Sequence, residues 1–180
     1  MEEINESEGK VSTRAAGIRY GAIAGLVSVV YFVVLTTLGV DTTEGIGRWA
    51  SLLFTILLIY LAHKYYKDNG DGFMSIGQGI GIGFWLGLIS AVISSIFTYI
   101  YVKFIDNNFI QQLLDKQRAA MEEGGNLTDE QIDQAMSMTS KFMTPELMLL
   151  FGLIGGVIIV VIISIVVSLI TQKKAPEGSF

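Results

Sequence analysis

Cysteine is absent from the 180 residues, so the chain has no disulfide, no thiolate nucleophile and no cysteine metal site. Histidine occurs once. Charge is scarce: Asp, Glu, Lys and Arg make up 16% of the chain, against about a quarter in an ordinary soluble domain. Positive charge is the scarcer sign, twelve residues against seventeen, for a net charge of −5. That excludes the basic footprint of a nucleic-acid binder. No segment shows the alternating pattern of a membrane strand barrel. What fills the chain instead is apolar, 51% of all residues. Too few polar groups are left to cover a surface with water, so a lipid bilayer is the expected partner and a soluble enzyme is not. The length suits one domain.

Four apolar segments run over residues 16–40, 49–66, 76–105 and 146–171. Helical residues rise ~1.5 Å each, so ~20 of them cross a hydrocarbon core of ~30 Å. Backbone polar groups find no partner in lipid, so spanning segments must be helices. The sequence therefore predicts an all-α fold: an integral membrane bundle of four transmembrane helices, with an extramembrane helical hairpin at 106–142. Residues 15–180 form its single domain. Residues 1–14 are polar and acidic, unlike a signal peptide, and read as a disordered cytoplasmic tail.

The third segment is too long for the hydrocarbon alone, so its last turns should protrude and continue into FIQQLLDKQRAAMEE. Phe109, Ile110, Leu113 and Leu114 share one face of that stretch. Gly124-Gly125 ends it. Thr128 and Gln131 have the spacing of a capping box, and Leu127 with Ile132 that of a hydrophobic staple. They should start a second amphipathic helix at Asp129, with Ile132, Ala135, Met136 and Phe142 facing inward. Pro145 then opens the fourth span. From Asp106 to Lys141 seven acids face three bases, which argues against a basic arm on anionic lipid. Phe109, Leu113, Ile132 and Met136 are candidates for a partner surface.

Orientation follows from Lys and Arg beside the spans. Lys10, Arg14, Arg19, Lys64, Lys67, Lys173 and Lys174 lie on one side. Arg48, Lys103, Lys116, Arg118 and Lys141 lie on the other. Seven against five favours both termini inside. Trp49, Tyr65, Tyr66, Tyr99 and Tyr101 fall near the expected interfaces.

Small residues recur every fourth position: Gly17, Gly21 and Gly25; Gly79, Gly83, Gly87, Ala91 and Ser95; Gly152 and Gly156. Such rows let helices approach closely in a bilayer, within one chain in preference to between copies. KDNGDGFMSIGQ resembles a calcium loop in part, but Lys67 stands at its first ligand position and Gln78 at its last. Asn69-Gly70 and Asp71-Gly72 are better read as turns, and Ser75 with Gln78 as a helix cap. His63, beside Lys64 and with no second ligand near in sequence, reads as an interfacial surface histidine. Glu122, Glu123, Asp129, Glu130 and Asp133, like Asp41 and Glu44, read as solvated acids. The helical serines have no base at their depth to make a nucleophile. No Asp, Glu, Lys or Arg stands mid-span, where ion-coupled transporters place them. No catalytic residue, cofactor or metal is expected.

The strings NGDGFMSIGQG, YIYVKFID, EEGGNLTDEQIDQAM, KFMTPELM and FGLIGG resemble the DUF4199 family of bacterial four-helix membrane proteins. The resemblance implies a bacterial cytoplasmic membrane and four spans, and carries no activity, cofactor or catalytic residue. The expected role is a non-enzymatic protein that packs through glycine faces and offers its acidic hairpin to another membrane protein or a second copy of itself. The alternative is a small oligomeric channel or facilitator, lined by Gln78, Ser90, Ser94 and Thr98.

Overall fold

The computed structural model describes residues 10–40 and 45–174. Six α-helices occupy them: α1 (Thr13–Thr37), α2 (Gly45–Asp68), α3 (Ile76–Ile100), α4 (Phe109–Gly124), α5 (Asp129–Phe142) and α6 (Pro145–Thr171). A π turn, Tyr101–Ile105, extends α3. No strand forms among the described residues; one isolated antiparallel bridge pairs Met74 with Lys173. Four helices are long and apolar enough to cross a membrane: α1, α2, α3 with its π turn, and α6. Asp41 and Glu44, and residues 1–9 of the expected tail, lie outside the described residues.

Local chemistry sets the helix ends. The Ser12 hydroxyl accepts from Ala15 N at 3.1 Å, so α1 begins at Thr13, inside the expected tail. Ser75 and Gln78 cap the start of α3 reciprocally: Ser75 Oγ accepts from Gln78 N at 3.2 Å, and Gln78 Oε1 from Ser75 N at 2.7 Å. The expected run of the third span into Phe109 is broken. Asp106 leaves helical geometry (φ −128°, ψ 88°), and its Oδ1 accepts from Asn108 N at 3.0 Å. A short acidic side chain thus gives the backbone an alternative to the helix, and α4 starts afresh.

Two compact units divide the chain. The first comprises residues 1–94 and 154–180. Its core is built of small and branched side chains, including Ala16, Ala24, Ile59, Ala62, Ile82, Leu86 and Val167. At one end, Val11 N donates to Asn69 O at 3.1 Å, and Met74 and Lys173 exchange two 2.9 Å backbone bonds. Most of the apolar surface is not in this core. Leu26, Val30, Leu53, Leu57, Ile158, Ile162 and Ile170 are all exposed. Only 17% of the apolar stretch is buried in each of α1, α2 and α6, and 33% in α3. A water-soluble monomer does not present continuous apolar surface of that extent.

The second unit, residues 95–153, contains α4 and α5. Thr128 and Gln131 form the capping box at the start of α5. Gly125 ends α4 at φ +63°, a conformation that costs a side chain dearly. Arg118 reaches Glu122 at 2.9 Å on its own helix and Asp133 of α5 at 2.7 Å. Ile132 is buried, and Phe109, Leu113, Ala135 and Met136 are half-buried. Phe142 is exposed, not inward as its position suggested. It closes the last turn of α5, just before Met143 leaves helical geometry.

Candidate functional site

Within the first unit the glycine rows face neighbouring helices at close range. A Cβ on Gly17 would lie 2.7 Å from the Ile82 carbonyl oxygen, and one on Gly21 2.8 Å from that of Leu86. A Cβ on Gly25 would meet Ile93 at 2.8 Å. These three set α1 against α3. On α3, Gly79 faces Ser168, Gly83 faces Ser164, and Gly87 faces Val160 at 3.0 Å, all on α6. Gly156 faces Ala91 at 3.1 Å. In the second unit Gly152 faces the Ser95 hydroxyl at 2.9 Å. Gly155, off these rows, has open space beside it.

Where α2, α3 and α6 meet lies a buried polar cluster that the sequence did not reveal. His63 is wholly buried, not a surface residue as its sequence neighbourhood suggested. Its Nε2 lies 3.1 Å from Gly79 O, and its Nδ1 2.8 Å from the Thr171 hydroxyl. A carbonyl only accepts, so Nε2 carries the hydrogen in the neutral ring. Nδ1 then accepts from Thr171, whose hydroxyl also has Val167 O in reach at 2.8 Å. Ser164 donates to the same Gly79 carbonyl at 3.0 Å, and Lys67 donates to Thr171 O at 2.9 Å. Ser168 Oγ is buried beside them and makes no hydrogen bond among the described residues. The ring thus pins three helices through groups 16 and 108 residues away in sequence.

Near mid-length of the first unit, α1, α2, α3 and α6 surround a cavity of about 200 Å³. Six hydroxyl side chains line it: Ser28, Tyr31, Ser51, Thr55, Ser90 and Ser94. Each donates to a backbone carbonyl. Ser28 bonds Ala24 O, Ser51 bonds Arg48 O and Ser94 bonds Ser90 O, each at 2.8 Å; Thr55 bonds Ser51 O at 2.9 Å. Tyr31 bonds Gly47 O at 2.6 Å, and Ser90 bonds Gly87 O at 3.2 Å. The remaining walls are apolar, among them Ala24, Val27, Leu86 and Val160. No ionisable group other than the Tyr31 phenol touches the space. Of the residues expected along a path on the third span, Ser90 and Ser94 line the cavity, whereas Gln78 is occupied in capping α3.

In the second unit two carboxylates hold the Arg118 guanidinium pKa above its ordinary value, its hydrogen bond to Asp133 being the largest cause. Among the described residues no group of three His, Asp or Glu side chains is placed to hold a metal ion. No curated protein and no solved structure matches the chain. The strings around both units that resembled a known family in sequence are part of one continuous match: residues 19–173 fit the family described as "Protein of unknown function (DUF4199)", and the chain belongs to it.

Proposed function

We propose that this is a non-enzymatic integral protein of a bacterial cytoplasmic membrane, with both termini inside. It packs its spans through the glycine faces and presents α4 and α5 as an acidic extracytoplasmic hairpin to another membrane protein or a second copy of the chain. The observation that carries this reading is the independent construction of those two helices. A linker needs only length, yet this one has a capping box, a left-handed glycine terminus, the Arg118–Asp133 bond and the buried Ile132. The half-buried Phe109, Leu113 and Met136 give a partner apolar contact, and the surrounding acids give it charge. Crosslinking in native membranes, followed by identification of what is attached, tests it. Deleting residues 107–141 should remove the attached partner or the homo-oligomer. Unchanged products would defeat the reading.

A second reading is a small facilitator, favoured by the meeting of Ser90 and Ser94 at a hydroxyl-lined cavity. Flux of small solutes into liposomes bearing the purified protein, no greater than into empty ones, would set it aside.

A further inference from the structure

The cavity among α1, α2, α3 and α6 has a lining whose chemistry specifies an occupant, whichever reading of the hairpin holds. All six hydroxyls have given their protons to backbone carbonyls. Their oxygens therefore offer lone pairs, and a bound molecule must supply the donor. No cation or carboxylate lines the space, so a charged molecule would enter without a counter-charge, at high desolvation cost. The size is right for a single small ring: a cavity of ~150 Å³ already admits benzene, and this one is about 200 Å³.

An apolar groove of about 380 Å³ adjoins the cavity on one side, between α1 and α2, lined by Leu26, Val27, Val30, Tyr31, Val34 and Phe54. Val27, Tyr31 and Phe54 line both spaces. The Tyr31 and Phe54 rings meet edge to face with centroids 6.2 Å apart, and Tyr31 is tethered to α2 through Gly47 O. Leu26 and Val30 are exposed on the flank that lipid would cover. A molecule dissolved in the bilayer thus meets an apolar groove first and hydrogen-bond acceptors second.

The geometry points to a binding site for a small, neutral, bilayer-soluble molecule with a hydroxyl donor on an apolar body, of the phenol class. Tyr31 and Phe54 stand between it and the lipid. The donor lodges against Ser28, Thr55 and Ser94, and the apolar body lies against Val27, Leu86 and Val160.

The test uses the full chain in nanodiscs of perdeuterated lipid, with alanine and valine methyls labelled, and phenol as the probe. Phenol should give saturable nuclear Overhauser effects to the methyls of Ala24, Val27 and Ala91. Anisole has the same body without the donor and should bind at least about fivefold more weakly, the worth of one hydrogen bond. Benzoate should give no effect. The triple variant Ser28→Ala, Thr55→Val, Ser94→Ala should lose a similar factor for phenol and gain none for anisole. The ring signals of the single histidine report whether that variant keeps its fold; if they change, Thr55→Val alone replaces it. Equal affinity for phenol and anisole, contacts confined to Val30 and Val34 in the groove, or contacts from water alone would each overturn the proposal.

Discussion

A neutral histidine among apolar helices must find partners for two ring nitrogens, one a donor and the other an acceptor. His63 finds an obligate acceptor in Gly79 O and a hydroxyl of either role in Thr171. Removing the ring takes one hydrogen bond from each partner, though Ser164 still donates to Gly79 O and Thr171 still reaches Val167 O. It also leaves a void in a buried site, so His63→Ala should lower stability by about 1–3 kcal/mol. Thermal or denaturant unfolding in detergent would measure it, and a change below the experimental error would show that the contacts carry no weight. Ser168 argues the opposite sign. Its hydroxyl is buried without a hydrogen bond, so Ser168→Ala removes an uncompensated desolvation cost and should leave stability equal or higher. A clear loss in the same unfolding assay would mean that the hydroxyl has a partner after all. Neither residue was legible in the sequence. A lone histidine next to Lys64 looks like a surface residue, because nothing in linear order links position 63 to 79 or 171.

Periodicity is a property of elements, and the elements were the legible part. Four apolar runs, Pro145 at a helix start and the Ser75–Gln78 and Thr128–Gln131 spacings all belong to a few consecutive residues, so sequence order carries them. The break at Asp106 was not legible, because Ile105 and Phe109 continue an apolar pattern across it; one aspartate bonding to Asn108 N ends the helix instead. The small-residue rows showed where helices would be thin, not which helix would fill each groove. At Gly21 the neighbour is the Leu86 backbone, which cannot swing aside, whereas Gly155 has nothing beside it. Gly21→Ala should therefore cost about 1–3 kcal/mol by overpacking, while Gly155→Ala should be neutral or slightly favourable. Equal unfolding midpoints for the two would deny a close approach of α1 to α3. At α5, Thr128→Ala removes an N-cap and should cost about 1 kcal/mol. Faster amide hydrogen exchange in the first turn of α5, with α2 unaffected, is the expected signature.

For the molecule as a whole, the unresolved choice in the sequence was between two opposite insertions, and charge decides it only by seven residues against five. The fold adds that several of the seven are fastened at one end of the first unit. Arg19 donates to the Tyr65 hydroxyl at 2.9 Å, Lys67 holds the last carbonyl of α6, and the backbone of Lys173 is bridged to Met74. Lys and Arg gathered beside the span ends favour the cytoplasmic side, so that end should stay in the cytoplasm. The absence of cysteine makes the question accessible, since any thiol introduced is the only one. Asn126→Cys, in the exposed turn between α4 and α5, should react with an impermeant thiol reagent applied to intact spheroplasts. Asp68→Cys is also exposed, at the end of α2, and removes no positive charge; it should react only after lysis. The reverse pattern would turn the molecule over in the membrane and put α4 and α5 in the cytoplasm. Reaction of both before lysis, with the protein dispersed in buffer without detergent, would mean that no bilayer surrounds these helices at all.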